Sequence, residues 1–116
     1  MELQGYQKKW LRGQAHALKP VVMIGQRGLS ASLLDSFEEA LAVHELIKIR
    51  FIEPKDKETK RALIAELEKT TLAEMVGMTG HIAIFFRQNR DPGKRRIRVP
   101  QRPQGNNRGE NPETER

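Results

Sequence analysis

Gly25-Gln26-Arg27-Gly28 is the stretch whose residue types and spacing come closest to a chemical device. Two glycines let a backbone approach a ligand, and Arg27 sets a cation between them. Such a loop suits phosphate, and the spacing decides which phosphates. A Walker loop needs Gly-x-x-x-x-Gly-Lys followed by Ser or Thr, and a dinucleotide fingerprint needs Gly-x-Gly-x-x-Gly. GQRG meets neither. It also lacks a lysine for terminal phosphates and a carboxylate evidently placed for magnesium, which weighs against nucleotide hydrolysis. A Gly-x-x-Gly loop that clamps a sugar-phosphate backbone is known in an RNA-binding module, where it lies between two helices rather than after a strand. A plain strand-to-helix turn that needs a positive φ accounts for the same four residues. At this level both readings stand.

The other reactive side chains do not assemble into a site. His16, His44 and His81 fall on three separate elements, with no i, i+4 pair of metal ligands. His44 lies at the exit of a helix, where an imidazole suits the negative end, and His81 reads as a turn residue. There is no cysteine, hence no disulfide, thiolate metal site or cysteine nucleophile. No serine is marked as a nucleophile. The expectation is no catalytic residue, no metal and no cofactor.

The elements that must position the loop are readable from periodicity. Residues 6–18 read as a helix on which Lys8, Arg12 and Lys19 nearly align at about 100° per residue, with Lys9 and His16 close by. Leu11, Ala15 and Leu18 form another face, with Trp10 beside it. Lys19-Pro20 ends that helix. Val21 to Ile24 is a continuous apolar run that suits a strand buried on both faces. Ser30 is a candidate N-cap for a second helix reaching about Val43. Leu46 to Phe51 alternates, with Lys48 and Arg50 on one face. A third helix is expected from about Asp56 to Thr70, its core contacts supplied by Ala62, Leu63, Ala65, Leu67 and Ile64. Ala73 to Met78 is a strand candidate that Gly77 interrupts. Thr79-Gly80 turns the chain into a last strand over His81 to Arg87.

The order α-β-α-β-α-β-β makes the chain α/β. The expectation is a compact domain over residues 1–87 with a four-stranded mixed sheet, at least one parallel crossover and a closing hairpin. Residues 88–116 read as a basic, largely flexible tail, within which Lys94 to Pro100 has the composition to dock or to order on binding.

Charge narrows the partner. The 116 residues carry 21 Lys and Arg against 15 Asp and Glu, a net charge of +6 with a pI near 10.0. Residues 1–28 hold five basic groups and one acid, residues 29–86 seven and ten, and residues 88–116 eight and four. Both flanks are therefore basic and the core-forming middle mildly acidic. An anionic partner follows, nucleic acid first and an anionic membrane surface second. The N-terminus lacks a signal-peptide core, and no apolar stretch nears the ~18 residues of a membrane span. A soluble, cytoplasmic protein is expected.

LRGQAHALKPVVMIGQRGLS, HELIKIRF, DKETK and GHIAIFFR, in this order and spacing, closely resemble the YhbY family. Its domain is called CRM, for chloroplast RNA splicing and ribosome maturation. The resemblance runs from about residue 6 to Arg87, and KRRIRVPQR is similar to the family's short basic ending. It implies a fold similar to the C-terminal domain of translation initiation factor 3, no enzymatic activity, and binding to ribosomal RNA or precursors of the large ribosomal subunit, whose assembly the protein would assist. It maps the RNA-contacting loop onto Gly25, Gln26, Arg27 and Gly28, with the basic first helix beside it. Two positions depart from the family: Leu72 stands where a glycine is common, and Gly77 sits inside a strand. Beyond about Arg102 the resemblance gives out.

The expected interface thus comprises the loop, Lys8, Lys9, Arg12 and Lys19 of the first helix, and Lys94, Arg95, Arg96 and Arg98 of the tail. Only Tyr6 and Trp10 offer aromatic surface for bases, so recognition of RNA shape or of a ribonucleoprotein surface is expected. No small-molecule substrate or membrane is expected, and the oligomeric state is open. Two rivals stand beside this reading: a module docking on a ribosomal protein or translation factor, and a phosphate-dependent enzyme.

Overall fold

Each helix begins where a polar residue can take up the free amides of a first turn. The computed structural model describes residues 2–101. Helix α1 (Gly5–Ala15) starts in a capping box between Gln4 and Gln7. In α2 (Ala31–His44) the Ser30 hydroxyl accepts from the Leu33 amide, and in α3 (Lys57–Thr71) the Asp56 carboxylate accepts from the Thr59 amide. The Thr59 hydroxyl also donates to Asp56, and these two bonds hold the Asp56 carboxyl below its ordinary value of 3.8. Helix α1 is shorter than expected: Lys48 Nζ donates to the carbonyls of His16 and Leu18, which closes the helix end.

Strands β1 (Pro20–Ile24), β2 (Leu46–Phe51), β3 (Glu74–Thr79) and β4 (Ile82–Phe86) form one mixed sheet in the order β1-β2-β4-β3. The β1–β2 pair is parallel, with α2 as the crossover, and β3–β4 is the expected hairpin. Alternation along β2 sends Ile47, Ile49 and Phe51 into a core with Phe37 and Leu41 of α2 and Ile64 and Leu67 of α3. Phe37 meets Phe85 edge to face, ring centroids 5.1 Å apart. The opposite sheet face holds a smaller core of Leu46, Val76, Ile84 and Phe86 under Leu11 and Ala15 of α1.

Three sequence expectations change. Strand β1 is not buried on both faces: Val22 and Ile24 are buried, but Val21 and Met23 are each 52% exposed. Helix α1 covers the other part of that face and leaves the β1 side open. Leu18 is likewise exposed, beyond the end of α1. On α3 the inward stripe is Lys60, Ile64, Leu67 and Thr71, whereas Ala62 and Ala65 face solvent. Lys60 can face inward because Nζ donates to the Gly80 carbonyl at 3.3 Å and to Nδ1 of His81 at 3.0 Å.

Gly77 and Leu72, the two departures, have local causes. Strand β3 bulges between Met75 and Gly77, and the Arg12 stem lies across Gly77, so that a Cβ there would collide with it. The Arg12 guanidinium then donates to the Val76 carbonyl at 2.9 Å. Leu72 caps α3 in the left-handed region, φ 64° and ψ 15°, a conformation that glycine adopts without steric cost.

Candidate nucleic-acid interface

The Gly25–Gly28 loop leaves the sheet at the end of β1 and enters α2 through the Ser30 cap. Gly28 donates its amide to the Gly25 carbonyl at 3.0 Å and has φ +62°, so the turn itself favours a glycine at 28. Gly25 is different. Its φ lies outside the left-handed region, and a Cβ added there would meet nothing within 4 Å. Gln26 and Arg27 are exposed, and Arg27 has no partner among the described residues. The loop is anchored below: the Ile24 carbonyl accepts from the amides of Ile52 and Glu53 at 2.8 and 3.1 Å. The result is a fixed turn carrying a guanidinium without a partner among the described residues beside a half-buried Gly25 whose Cα faces open space.

The expected cations do not all gather there. On α1, Lys8 pairs with Glu74 at 3.3 Å and Arg12 is held on β3 as described, while Lys9 and Lys19 are exposed without a partner among the described residues. The segment from Gln88 to Gln101, expected as the start of the tail, lies against the domain, and the remainder of that expected tail, 102–116, is outside the described residues. Its anchor is Glu45, which is fully buried. One carboxylate oxygen accepts from the Asn89 amide at 2.6 Å, the other from the amides of Arg96 and Ile97 at 2.8 and 2.9 Å. Gln7 Nε2 donates to the Pro100 carbonyl at 3.0 Å, and Ile97 and Val99 pack on the α1-side core. Lys94, Arg95, Arg96 and Arg98 are thereby placed near the Glu45 end of β2. Arg95 donates Nε to the Asn89 carbonyl at 2.8 Å. This end is roughly 17 Å from the loop end, at about 3.3 Å per strand residue.

Strand β1 links the two zones. One groove is lined by Arg27, Gly25, Met23, Val21 and Ser32; a second by Val21, Leu18, Lys19, His44, Arg96 and Ile97. Val21 borders both, so the two grooves adjoin along the β1 edge, where Arg27, Lys19 and Arg96 stand with the apolar Leu18, Val21 and Met23. Sequence reasoning placed Arg50 on one face of its strand but gave it no part in the interface. Strand alternation puts it on the open face, where it is the cross-strand neighbour of Met23 and has no partner among the described residues. The same reasoning passed over Glu45, whose carboxylate meets amides 44 to 52 residues further along the chain.

Residues 3–87 match the model of the CRS1/YhbY (CRM) domain family. An RNA-binding protein of Haemophilus influenzae is 38% identical over 96 residues, spanning 83% of this chain and 93% of that protein. A probable RNA-binding protein of Pseudomonas aeruginosa is 35% identical over 94 residues, covering 81% of this chain and 89% of its own. The solution structure of a Staphylococcus aureus protein described as a candidate RNA binder superposes with a TM-score of 0.70 at 26% identity, covering 84% of this chain and all of that one. On the match over residues 3–87 and the likeness to these relatives, the chain belongs to the CRS1/YhbY (CRM) domain family.

Proposed function

We propose that this protein binds RNA without catalysis and that the Gly25–Gly28 loop receives the RNA backbone. The observation that carries this is Gly25. The turn explains Gly28, but no strain or contact explains a glycine at 25, where a bare backbone next to Arg27 admits a phosphate. Amides in the first turn of α2 and the positive end of its dipole add to the attraction. Relatives named for RNA binding support the same partner. The finer reading follows the resemblance of the sequence segments: the RNA is ribosomal, the bound particle a precursor of the large subunit, and the setting the cytoplasm, where the protein assists assembly.

Gly25→Ala tests the carrying observation. It should leave the melting temperature within a few degrees of the parent and weaken binding to a large-subunit ribosomal RNA fragment. Unchanged affinity in a folded variant contradicts the role given to the loop. Cross-linking in cells and sequencing of the bound RNA tests the finer reading, which expects large-subunit precursor sequences and fails if these are not enriched.

A further inference from the structure

We infer that the track along the open edge of β1 binds an unpaired stretch of RNA, with bases against Leu18, Val21 and Met23 and phosphates at its cationic ends. The inference rests on the RNA-binding reading above and extends it from the backbone to the bases.

Three observations point there. The first is exposure: Leu18, Val21 and Met23 are 40%, 52% and 52% exposed, and Val21 joins the two grooves into one path. Isolated apolar side chains on a surface mean little. Val21 and Met23 lie on edge strand β1 between Arg27 and Lys19, and Leu18 flanks Lys19 just before the strand begins.

The second is charge. Arg27 stands at one end of the path and Lys19 with Arg96 at the other, and the side chains of all three lack partners among the described residues. Lys19 and Gly25 are six residues apart, about 20 Å along an extended strand. Arg96 is not there by chance of a loose tail, because its amide is tied to the buried carboxylate of Glu45. An edge on which cations and apolar side chains stand together suits a single strand, which offers phosphates and base faces side by side. A double helix would present phosphates alone to the same path.

The third is Arg50. A charge on an exposed sheet often serves to discourage edge pairing, but that device belongs on an edge strand. Arg50 lies on β2, an interior strand, and the edge strand beside it carries Val21 and Met23 instead. Outside the two grooves but paired in register with Met23, the planar guanidinium of Arg50 offers a base a stacking surface beside them.

The test uses the full chain and three RNAs of equal length: a short unstructured oligoadenylate, an abasic ribose-phosphate strand and a blunt duplex. The oligoadenylate is expected to bind more tightly than the abasic strand. Val21→Ser with Met23→Ser should weaken oligoadenylate more than the abasic strand, with the salt slope unchanged. Arg50→Lys keeps the charge and should also weaken oligoadenylate while leaving the abasic strand alone. Should the double variant fold poorly, the Met23 methyl resonance of the parent decides. It should move under the ring currents of oligoadenylate and stay in place with the abasic strand. Equal affinity for the oligoadenylate and abasic strands, or an unmoved Met23 methyl, overturns the inference. Duplex binding that depends on Arg27 but ignores Val21, Met23 and Arg50 overturns it while sparing the reading of the loop. Absence of binding to all three RNAs removes both.

Discussion

Gly77 and Arg12 should behave as one unit, and a double-mutant cycle measures it. A methyl at position 77 would collide with the Cγ and Cδ of Arg12, so Gly77→Ala must evict that side chain. Eviction breaks the bond from the guanidinium to the Val76 carbonyl. For a charged donor near the surface that bond contributes about 1.5 kcal/mol. Alanine in a strand returns roughly 0.5–1 kcal/mol relative to glycine. In the parent, therefore, Gly77→Ala should destabilise by about 0.5–1 kcal/mol. With Arg12→Ala already in place the methyl has room, and the same substitution should stabilise by about 0.5–1 kcal/mol. The sign reverses, and the coupling is about 1.5 kcal/mol. Urea unfolding of the four proteins, with equal m-values, supplies the numbers. If Gly77→Ala has the same effect in both backgrounds, within about 0.5 kcal/mol, the packing of Arg12 over Gly77 is refuted.

Glu45→Gln should cost about 2 kcal/mol, since a neutral amide cannot serve three amide donors as a carboxylate does. Hydrogen exchange should quicken at Asn89, Arg96 and Ile97 before the sheet opens; unchanged protection there contradicts the anchor. Leu72→Gly should stabilise by about 0.5–1 kcal/mol, because a left-handed leucine that is 71% exposed loses strain and little burial. A lower melting temperature would count against it. Asp56 titrates below 3.8 in the folded chain, so its cap is present above that value and is lost as pH falls through the depressed one. The stability gap between the parent and Asp56→Ala should thus hold at neutral pH and close in acid; a gap independent of pH refutes the cap.

Order and type of the elements were legible because each carries its own period, run or cap: Ser30 before α2, Asp56 before α3, the alternation of β2 and the continuous apolar run of β4. What was not legible depends on who covers whom. The run from Val21 to Ile24 reads as doubly buried, yet half of it is bare because β1 is an edge strand that α1 leaves open. Hydropathy assigned Ala62 and Ala65 to the core of α3, where Lys60 and Thr71 in fact turn inward. Both polar groups find bonds only in the folded chain, Lys60 to Gly80 and Thr71 to the Leu67 carbonyl. The loop was legible as a motif, but its two glycines could not be told apart without a φ at each. Lys94 to Pro100 was legible as a segment able to dock, but its anchor was not, because its amides bond to a carboxylate far away in sequence. The basic residues formed a single list in the sequence, whereas the fold divides them between two ends of the sheet and spends Lys8 and Arg12 on β3.

The most direct test of the central claim is the salt dependence of binding to a large-subunit ribosomal RNA fragment, for the parent and for Arg27→Ala. Arg27 is exposed and unpaired among the described residues, so its removal should leave the melting temperature alone. The expected result is weaker binding and a plot of log affinity against log salt that is shallower by about one unit. Identical affinity and slope for the two proteins would contradict the assignment of the loop to the RNA backbone.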